Sequence, residues 1–245
     1  MKVLIEVVRT FIFLLGRFLC SNSQSKVLYY HDVAKKNGHV YTSMTTDFEE
    51  FVKQMNVLPH YGEIVPTITR QKGQFMIAFD DGFKGVYDNK DFFLNKGIFP
   101  TIFVAKSLVG KDGYMDESQI KELSNLGFNF QSHTVSHIDM TSLGIEELRV
   151  ELAVSKSYLS SLLNKDVDEI CCPIGYYNEQ VIEEAIKAGY KRIFLSYPSP
   201  YAVNEIVTGR YFCQSLSLFQ FKLVLHGGMD ILRSRYKKLH YKITS

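Results

Sequence analysis

The feature that most constrains the fold is the alternation, from residue 27 onward, of short apolar runs with segments of helical periodicity. The apolar runs predict strands at residues 27–30, 75–79, 100–104, 128–131, 169–172, 191–195 and 206–212. The amphipathic segments predict helices at about 46–58 with Thr46 as N-cap, and at 86–95, 117–125, 145–163, 179–188 and from about 218. Strands alternating with helices pair in parallel through right-handed crossovers. About seven such units favour an α/β barrel over an open sheet.

Composition narrows the class further. The chain has 245 residues, of which 46% are hydrophobic, and a net charge of +2. This length allows one larger α/β domain or two small ones, and the balanced charge argues against nucleic acid as a partner. The cysteines form no CxxC pair, so neither a zinc finger nor a disulfide framework is expected, and buried free thiols are the default.

The first twenty residues differ from the rest of the chain. Residues 3–19 are strongly apolar but are interrupted by Glu6, Arg9 and Arg17. The uninterrupted run 11–16 is too short to span a bilayer. A poor signal peptide and an amphipathic helix at a membrane surface both fit, and we favour a retained membrane-surface segment.

The expected division of the chain follows from these observations. Residues 1–25 form the apolar segment and a polar linker, residues 26–232 the domain, and residues 233–245 a basic tail. The tail has five cations and no acid between residues 233 and 242. A solvated last helix is the simpler interpretation of this tail, and contact with an anionic surface is the alternative.

Unusual polar residues follow four of the predicted strands directly. They are His31 and Asp32, Asp80 and Asp81, His133 and His137, and Pro173 and Gly175. In barrels and open α/β sheets, active sites are built at the carboxyl ends of the strands. We therefore expect these side chains to converge at one end of the barrel.

The two aspartates and the two histidines suit a catalytic metal site. An Asp-Asp-Gly sequence is usually only a turn, but here it joins an apolar strand to a helix, so one carboxylate is free to bind a metal while the other handles a proton. A single histidine near a core is usually a hydrogen-bonded polar residue. His133 and His137, four residues apart, can reach one ion if the segment turns like a helix. With Asp81 they give a two-His, one-carboxylate set that leaves positions open for water and substrate.

At this point the chain resembles a known family. Residues 77–83, IAFDDGF, resemble the first signature of the polysaccharide deacetylases, and residues 133–137, HTVSH, resemble their second. Residues 172–175, CPIG, are similar to the core of the third signature. The resemblance covers about residues 27–210.

The resemblance implies a fold and a set of roles. The fold would be a distorted (β/α)7 barrel in a single domain. Asp80 would be the general base, and Asp81, His133 and His137 would bind a divalent metal, commonly Zn²⁺, which polarises the acetyl carbonyl and acidifies a bound water. A main-chain N–H in the turn would hold the oxyanion. The turn consists of Pro173, Ile174, Gly175 and Tyr176.

Three departures from the family pattern matter. Cys171 stands where the third signature usually has arginine, and the chain lacks the Trp of the fourth. The fifth signature, which supplies the general acid, would fall on His226, but that residue ends a predicted helix. The circularly permuted poly-N-acetylglucosamine deacetylase branch places this histidine first, in a Tyr-His-Asp-Val sequence, which residues 30–33 match. We therefore expect His31 to be the acid and Arg210, which follows a strand, to replace the missing arginine.

The expected function is removal of N-acetyl groups from a glycan that contains N-acetylglucosamine. Phe83, Tyr176 and Tyr177 are candidates for stacking on sugar rings, although Phe83 is more simply a core residue. An inactive carbohydrate-binding protein, or a deacetylase of O-acetylated or non-polymeric substrates, remains the alternative. The expected location is the cell envelope or a membrane surface, with the cytoplasmic face left open.

Overall fold

The computed structural model describes residues 2–36 and 38–242. The strands are β1 Lys26–Tyr30, β2 Asp32–Ala34, β3 Thr45–Asp47, β4 Glu63–Ile64, β5 Gln74–Phe79, β6 Thr101–Val104, β7 Asn129–Ser132, β8 Glu169–Cys171, β9 Arg192–Leu195, β10 Val207–Gly209 and β11 Tyr211–Phe212. The helices are α1 Lys2–Cys20, α2 Phe48–Val57, α3 Gly85–Asp88, α4 Lys90–Lys96, α5 Glu117–Asn125, α6 Ile145–Leu163, α7 Glu179–Lys187, α8 Leu218–Leu225 and α9 Arg233–His240.

One parallel sheet organises the molecule. Its strand order is β10-β9-β8-β7-β6-β5-β1-β11, and every pairing in it is parallel. The first and last strands of this path are separated in the chain only by Arg210, so the sheet is nearly closed into a barrel. The predicted α/β class and distorted barrel in a single domain are thus confirmed.

Side chains alternate between the barrel interior and the helical layer, as the period of two in a strand requires. On β1, Val27 and Tyr29 belong to the inner cluster, whereas Leu28 and Tyr30 pack against the helices. On β5, Met76 and Ala78 face inward. The residues that follow these two strands, His31 and Asp80, continue the inward-facing series.

Several predicted boundaries needed correction. The predicted helix 86–95 is two short helices, α3 and α4, because the chain breaks at Asn89 before resuming. The N-cap of α2 is Asp47 instead of Thr46, since the Asp47 carboxylate accepts the N–H groups of Glu49 and Glu50. The sequence did not predict β2 and β3, which form a separate parallel pair.

The N-terminal helix α1 packs on the domain. Phe13 is buried in the main core, and a Cβ on Gly16 would meet the backbone oxygen of Gly228 at 2.0 Å, so the two segments cross at close range. The segment that follows is also tied down, because Ser25 is buried and its hydroxyl donates to the carbonyl of Arg70. Within residues 2–36 and 38–242, we find no helix with both the length and the apolar character needed to cross a membrane.

Candidate active site

Asp80 and Arg210 form a buried ion pair at the end of the barrel strands. Arg210 Nη1 lies 2.6 Å from Asp80 Oδ1, and Nη2 lies 2.8 Å from Oδ2, so the pair is bidentate. Burial would raise the pKa of Asp80, but the Arg210 guanidinium more than offsets this and lowers the pKa below its usual range. Asp80 is therefore a carboxylate at neutral pH.

The Arg210 side chain is almost completely buried, with 1% exposed, and it is contacted from several sides. Its guanidinium lies over the ring of Tyr29, 4.1 Å from the centroid, and its Nη2 is 2.9 Å from Cys171 Sγ. Cys171 occupies the position where the family signature has arginine. Burial raises the pKa of this thiol well above its usual value, so the thiol stays neutral beside the ion pair.

Asp81, His133 and His137 converge beside this ion pair. Asp81 Oδ1 lies 3.2 Å from His133 Nε2 and 3.0 Å from His137 Nε2. Among the residues that the structure describes, this buried oxygen has no aligned hydrogen-bond donor. Burial would raise the pKa of Asp81, but the two imidazoles more than offset it and hold the pKa below its usual range. Two imidazole nitrogens beside a carboxylate oxygen without a donor form a set of three ligand atoms that suits a shared cation.

The tautomer of His133 also suits metal binding. Its Nδ1 is 2.8 Å from the carbonyl oxygen of Cys171, which only accepts hydrogen bonds, so Nδ1 carries the proton. Nε2 of the neutral ring is then free to act as a ligand, and the carbonyl fixes its direction. A second set of donor atoms, from Asp80, His133 and Cys171, is also compact. It fits a cation less well, because Arg210 already occupies Asp80 and the thiol is neutral.

The segment from His133 to His137 is not helical, although the sequence argument for a shared ion assumed a helical turn there. Thr134 has φ 67° and His137 has φ 54°, both in the left-handed region. Asp81 also has a positive φ, of 70°. Such non-glycine backbone conformations cost roughly 1–3 kcal/mol each and persist where surrounding contacts enforce them.

Glu151 of α6 supplies the contacts that hold the histidine segment. Its carboxylate accepts the N–H groups of Val135 and Ser136 at 2.8 and 3.0 Å and the Ser136 hydroxyl at 2.6 Å. Glu151 lies in mid-helix, and nothing in the local sequence signals this role.

His31 lies beside Asp80 at the mouth of the barrel. Tyr30 pairs with Phe79 in the β1–β5 register, so the next residue on each strand stands side by side. His31 Nδ1 is 3.1 Å from Gln214 Oε1, an acceptor, which assigns the proton to Nδ1. Gln214 was not singled out from the sequence, although it lies shortly after the last strand.

His226 lies elsewhere. Its carbonyl oxygen accepts the N–H of Asn22, a residue that precedes β1, and its ring packs on Tyr61. Because His31 follows β1, the two histidines lie toward opposite ends of the barrel.

The turn Pro173–Gly175 follows β8 at the same edge. Pro173 has no N–H, while the N–H groups of Gly175 and Tyr176 donate to the carbonyls of Cys172 and Pro173. Ile174, with φ 61°, is a strained conformation for a β-branched residue. Its N–H is the remaining candidate donor in this turn.

Of the three aromatic candidates for sugar stacking, two belong to the core. Phe83 is buried and stacks on Tyr114 with ring centroids 4.5 Å apart, and Tyr177 is buried as well. Only Tyr176 is partly exposed, with Lys242 Nζ 3.8 Å from its ring centroid. The stacking interpretation therefore does not hold for Phe83 or Tyr177.

Comparison with known proteins bears on this arrangement. YxkH of Bacillus subtilis (strain 168) is 28% identical over 179 residues, which is 67% of this chain and 62% of the relative, so the match spans less than two thirds of that protein. The Streptococcus pyogenes deacetylase PplD in complex with acetate has a similar fold, with a TM-score of 0.71 at 20% identity, covering 83% of this chain and 98% of PplD. A de-N-acetylase from Aggregatibacter actinomycetemcomitans gives a TM-score of 0.72 at 15% identity, covering 81% and 98%.

The family profile described as polysaccharide deacetylase matches residues 67–193, more than half of the chain. The matched region contains Asp80, Asp81, His133, His137 and the turn after β8, whereas His31 and Arg210 lie outside it. The chain belongs to the polysaccharide deacetylase family.

Proposed function

We propose that the protein is a metal-dependent hydrolase that removes N-acetyl groups from a glycan containing N-acetylglucosamine. The observation that carries the proposal is the buried Asp81 oxygen, which faces two imidazole nitrogens and has no aligned donor among the described residues. Next to it, Asp80 is kept ionised by Arg210. A ligand set and an adjacent ionised base are what amide hydrolysis at neutral pH requires.

Asp81, His133 and His137 would hold the ion, for which Zn²⁺ is the best match. Two imidazoles and one carboxylate form a neutral-to-anionic donor set that leaves positions open. When bound, such an ion would polarise a carbonyl and lower the pKa of a water to roughly 7.

The remaining residues divide the proton transfers between them. Asp80 accepts the proton of the attacking water, and Arg210 keeps it in position and ionised. His31 protonates the departing amine, which is too basic to leave as an anion. The Ile174 N–H is assigned to the oxyanion, because the neighbouring N–H groups are used within the turn.

We place the chain in the permuted poly-N-acetylglucosamine deacetylase branch. The supporting observation is that β1 lies between β11 and β5, which brings His31 next to Asp80 although His31 comes first in the chain. His226, the candidate in the common layout, lies toward the other end of the barrel. An amide substrate is consistent with the need for this acid, since an alcohol leaves more readily than an amine.

An acetate-release screen tests the proposal. Chitooligosaccharides, poly-N-acetylglucosamine and O-acetylated xylan would each be incubated with enzyme loaded with Zn²⁺, and both acetate and new primary amine would be measured. We expect equal amounts of acetate and amine from the first two, and none from Asp81→Asn. Asp91→Asn, an exposed carboxylate on α4, is the matched control and should retain activity. Acetate from xylan alone would show that the substrate is an ester and contradict the proposal.

A further inference from the structure

Helix α1 packs on the domain mainly with its polar face, whereas a helix that covers a core normally packs with its apolar face. The side chains of Glu6, Arg9 and Thr10 face the domain, where Arg9 Nη2 donates to the carbonyl of Ser215 at 2.8 Å and to Gln220 Oε1 at 2.9 Å. Glu6 lies on the same side and accepts from the Gln220 amide at 3.1 Å. On this side Phe13 is buried, Ile12 packs against the core, and Gly16 crosses the backbone of Gly228 at close range.

The opposite face of α1 is apolar and solvent-exposed. Its large side chains recur at helical spacing and are exposed to between 42% and 84%: Leu4, Val7, Val8, Phe11, Leu14, Leu15 and Phe18. No charged side chain interrupts this stripe. From residue 4 to residue 18 it runs for about 21 Å along the helix. Soluble proteins rarely leave a continuous apolar surface of this kind uncovered.

A cationic helix, α9, is joined to α1 through a short turn. The turn Asp230–Leu232 packs on α1 and leads directly into α9. Helix α9 is exposed along its length, and its cations are Arg233, Arg235, Lys237 and Lys238. The sequence has no acidic residue from 231 to 242. An apolar face joined to uncompensated cations is complementary to an anionic bilayer, in which acyl chains underlie negative headgroups.

The far end of α9 reaches the edge of the candidate active site. The carbonyl of His240 accepts the N–H of Tyr177 at 3.1 Å, and the N–H of Lys242 donates to the carbonyl of Tyr177 at 2.9 Å. Tyr177 follows the turn that carries the candidate oxyanion donor. One short helix therefore connects the apolar face to the rim of the site, over about 12 Å.

We propose that the exposed face of α1 and the cations of α9 together bind an anionic lipid membrane, with α1 lying in the plane of the interface. We call these residues the α1–α9 surface. Burial of the apolar stripe supplies the part of the affinity that does not depend on lipid charge, and the cations of α9 supply a preference for anionic lipid. This inference does not depend on the proposed deacetylation, because it concerns a separate surface.

Vesicle flotation of the full chain tests it. Vesicles of phosphatidylcholine alone and of phosphatidylcholine with phosphatidylglycerol would be compared at low and high salt. We expect the protein to float with the mixed vesicles, and less so at high salt. Phe11→Ser/Phe18→Ser should weaken binding to them about tenfold or more, since both rings leave the acyl region. Val150→Ser, an exposed apolar residue on α6, is the matched control and should bind as the wild type does.

A second pair of variants tests the cations. Lys237→Gln/Lys238→Gln should weaken binding to anionic vesicles about thirtyfold, at roughly 1 kcal/mol for each charge. Lys96→Gln, on α4, should leave it unchanged. Circular dichroism and metal content, equal to those of the wild type, would show that the variants fold. A protein that stays unbound with both kinds of vesicle overturns the proposal. The proposal also fails if the wild type is a dimer, the Phe11→Ser/Phe18→Ser variant is a monomer, and neither binds vesicles. A second copy of the chain would then cover the apolar face of α1.

Discussion

Arg210 and Asp80 are joined by two hydrogen bonds inside the barrel, although 130 residues separate them in the chain. The arginine comes from the point where β10 passes into β11, and the aspartate from the end of β5. Cys171, at the usual position of the family arginine, lies against the same guanidinium. The cation that pairs with Asp80 is thus supplied from a different strand, and its replacement of the family arginine in function stays a prediction.

Removing the arginine should change the pH dependence of the enzyme. The Arg210 cation is the main group that holds the pKa of Asp80 down against burial, ahead of His133 and His31, so in Arg210→Met we expect burial to dominate and the pKa to rise. The base form of Asp80 is then lost as pH falls from a higher value. The acidic limb of kcat/KM should move to higher pH, and activity at neutral pH should approach the roughly 10²–10⁴-fold loss of a missing base.

The comparison needs a control for stability. An unpaired buried carboxylate costs about 3–5 kcal/mol, so Arg210→Met should also unfold more easily. Asp80→Asn/Arg210→Met should regain stability without regaining activity. An acidic limb that stays in place in folded Arg210→Met would show that Asp80 is not the titrating base.

The proton donor is tested by comparing two histidines. His31→Ala should keep its metal and fold but lose roughly 10²–10⁴-fold in kcat on an N-acetylated substrate, which is the usual contribution of a general acid. His226→Ala should lose little, because its ring contacts Tyr61 away from the site. The loss in His31→Ala should shrink on an activated ester, whose leaving group needs no proton. A large loss in His226→Ala alone would contradict the permuted assignment.

Glu151 should act through the metal ligands. Glu151→Gln places an amide where three donors converge, so one N–H or O–H in the His133–His137 segment loses its acceptor. We expect roughly 10–100-fold weaker metal affinity, as is usual for supporting residues, and excess metal should restore most of kcat. Titration with a metal chelator measures this. Glu146→Gln, an exposed carboxylate on the same helix, should behave as the wild type; equal affinities in Glu151→Gln would refute the supporting role.

The sequence carried enough information to predict the barrel and the convergence of Asp81, His133 and His137, because both leave local signals. Alternating strands and helices predict parallel pairing, and Asp81, His133 and His137 directly follow strands whose ends must meet. The pairing of His31 with Gln214, and the role of Glu151, depend on contacts between distant segments and leave no local pattern. The positive φ of Thr134 and His137 was also hidden, because tertiary contacts enforce it against backbone preference.

The N-terminal helix shows the same difference between local signals and long-range contacts. The sequence predicted an apolar N-terminal segment at a membrane surface, which stays a prediction, but it did not predict that Arg9 and Glu6 would turn toward the domain. A helix normally covers the core with its apolar face, and here hydrogen bonds to Gln220 fix the opposite orientation. The orientation of α1 therefore depends on a polar residue of α8, and the sequence of residues 2–20 alone does not predict it.

The most direct test of the account is the metal content of the purified protein. Elemental analysis of the wild type, Asp81→Asn, His133→Ala and the control Asp91→Asn would be made after equilibration with Zn²⁺ and removal of excess ion. We expect one ion per chain in the wild type and in Asp91→Asn, and a large loss in the two ligand variants. Full stoichiometric metal in Asp81→Asn and His133→Ala would contradict the assignment of this site.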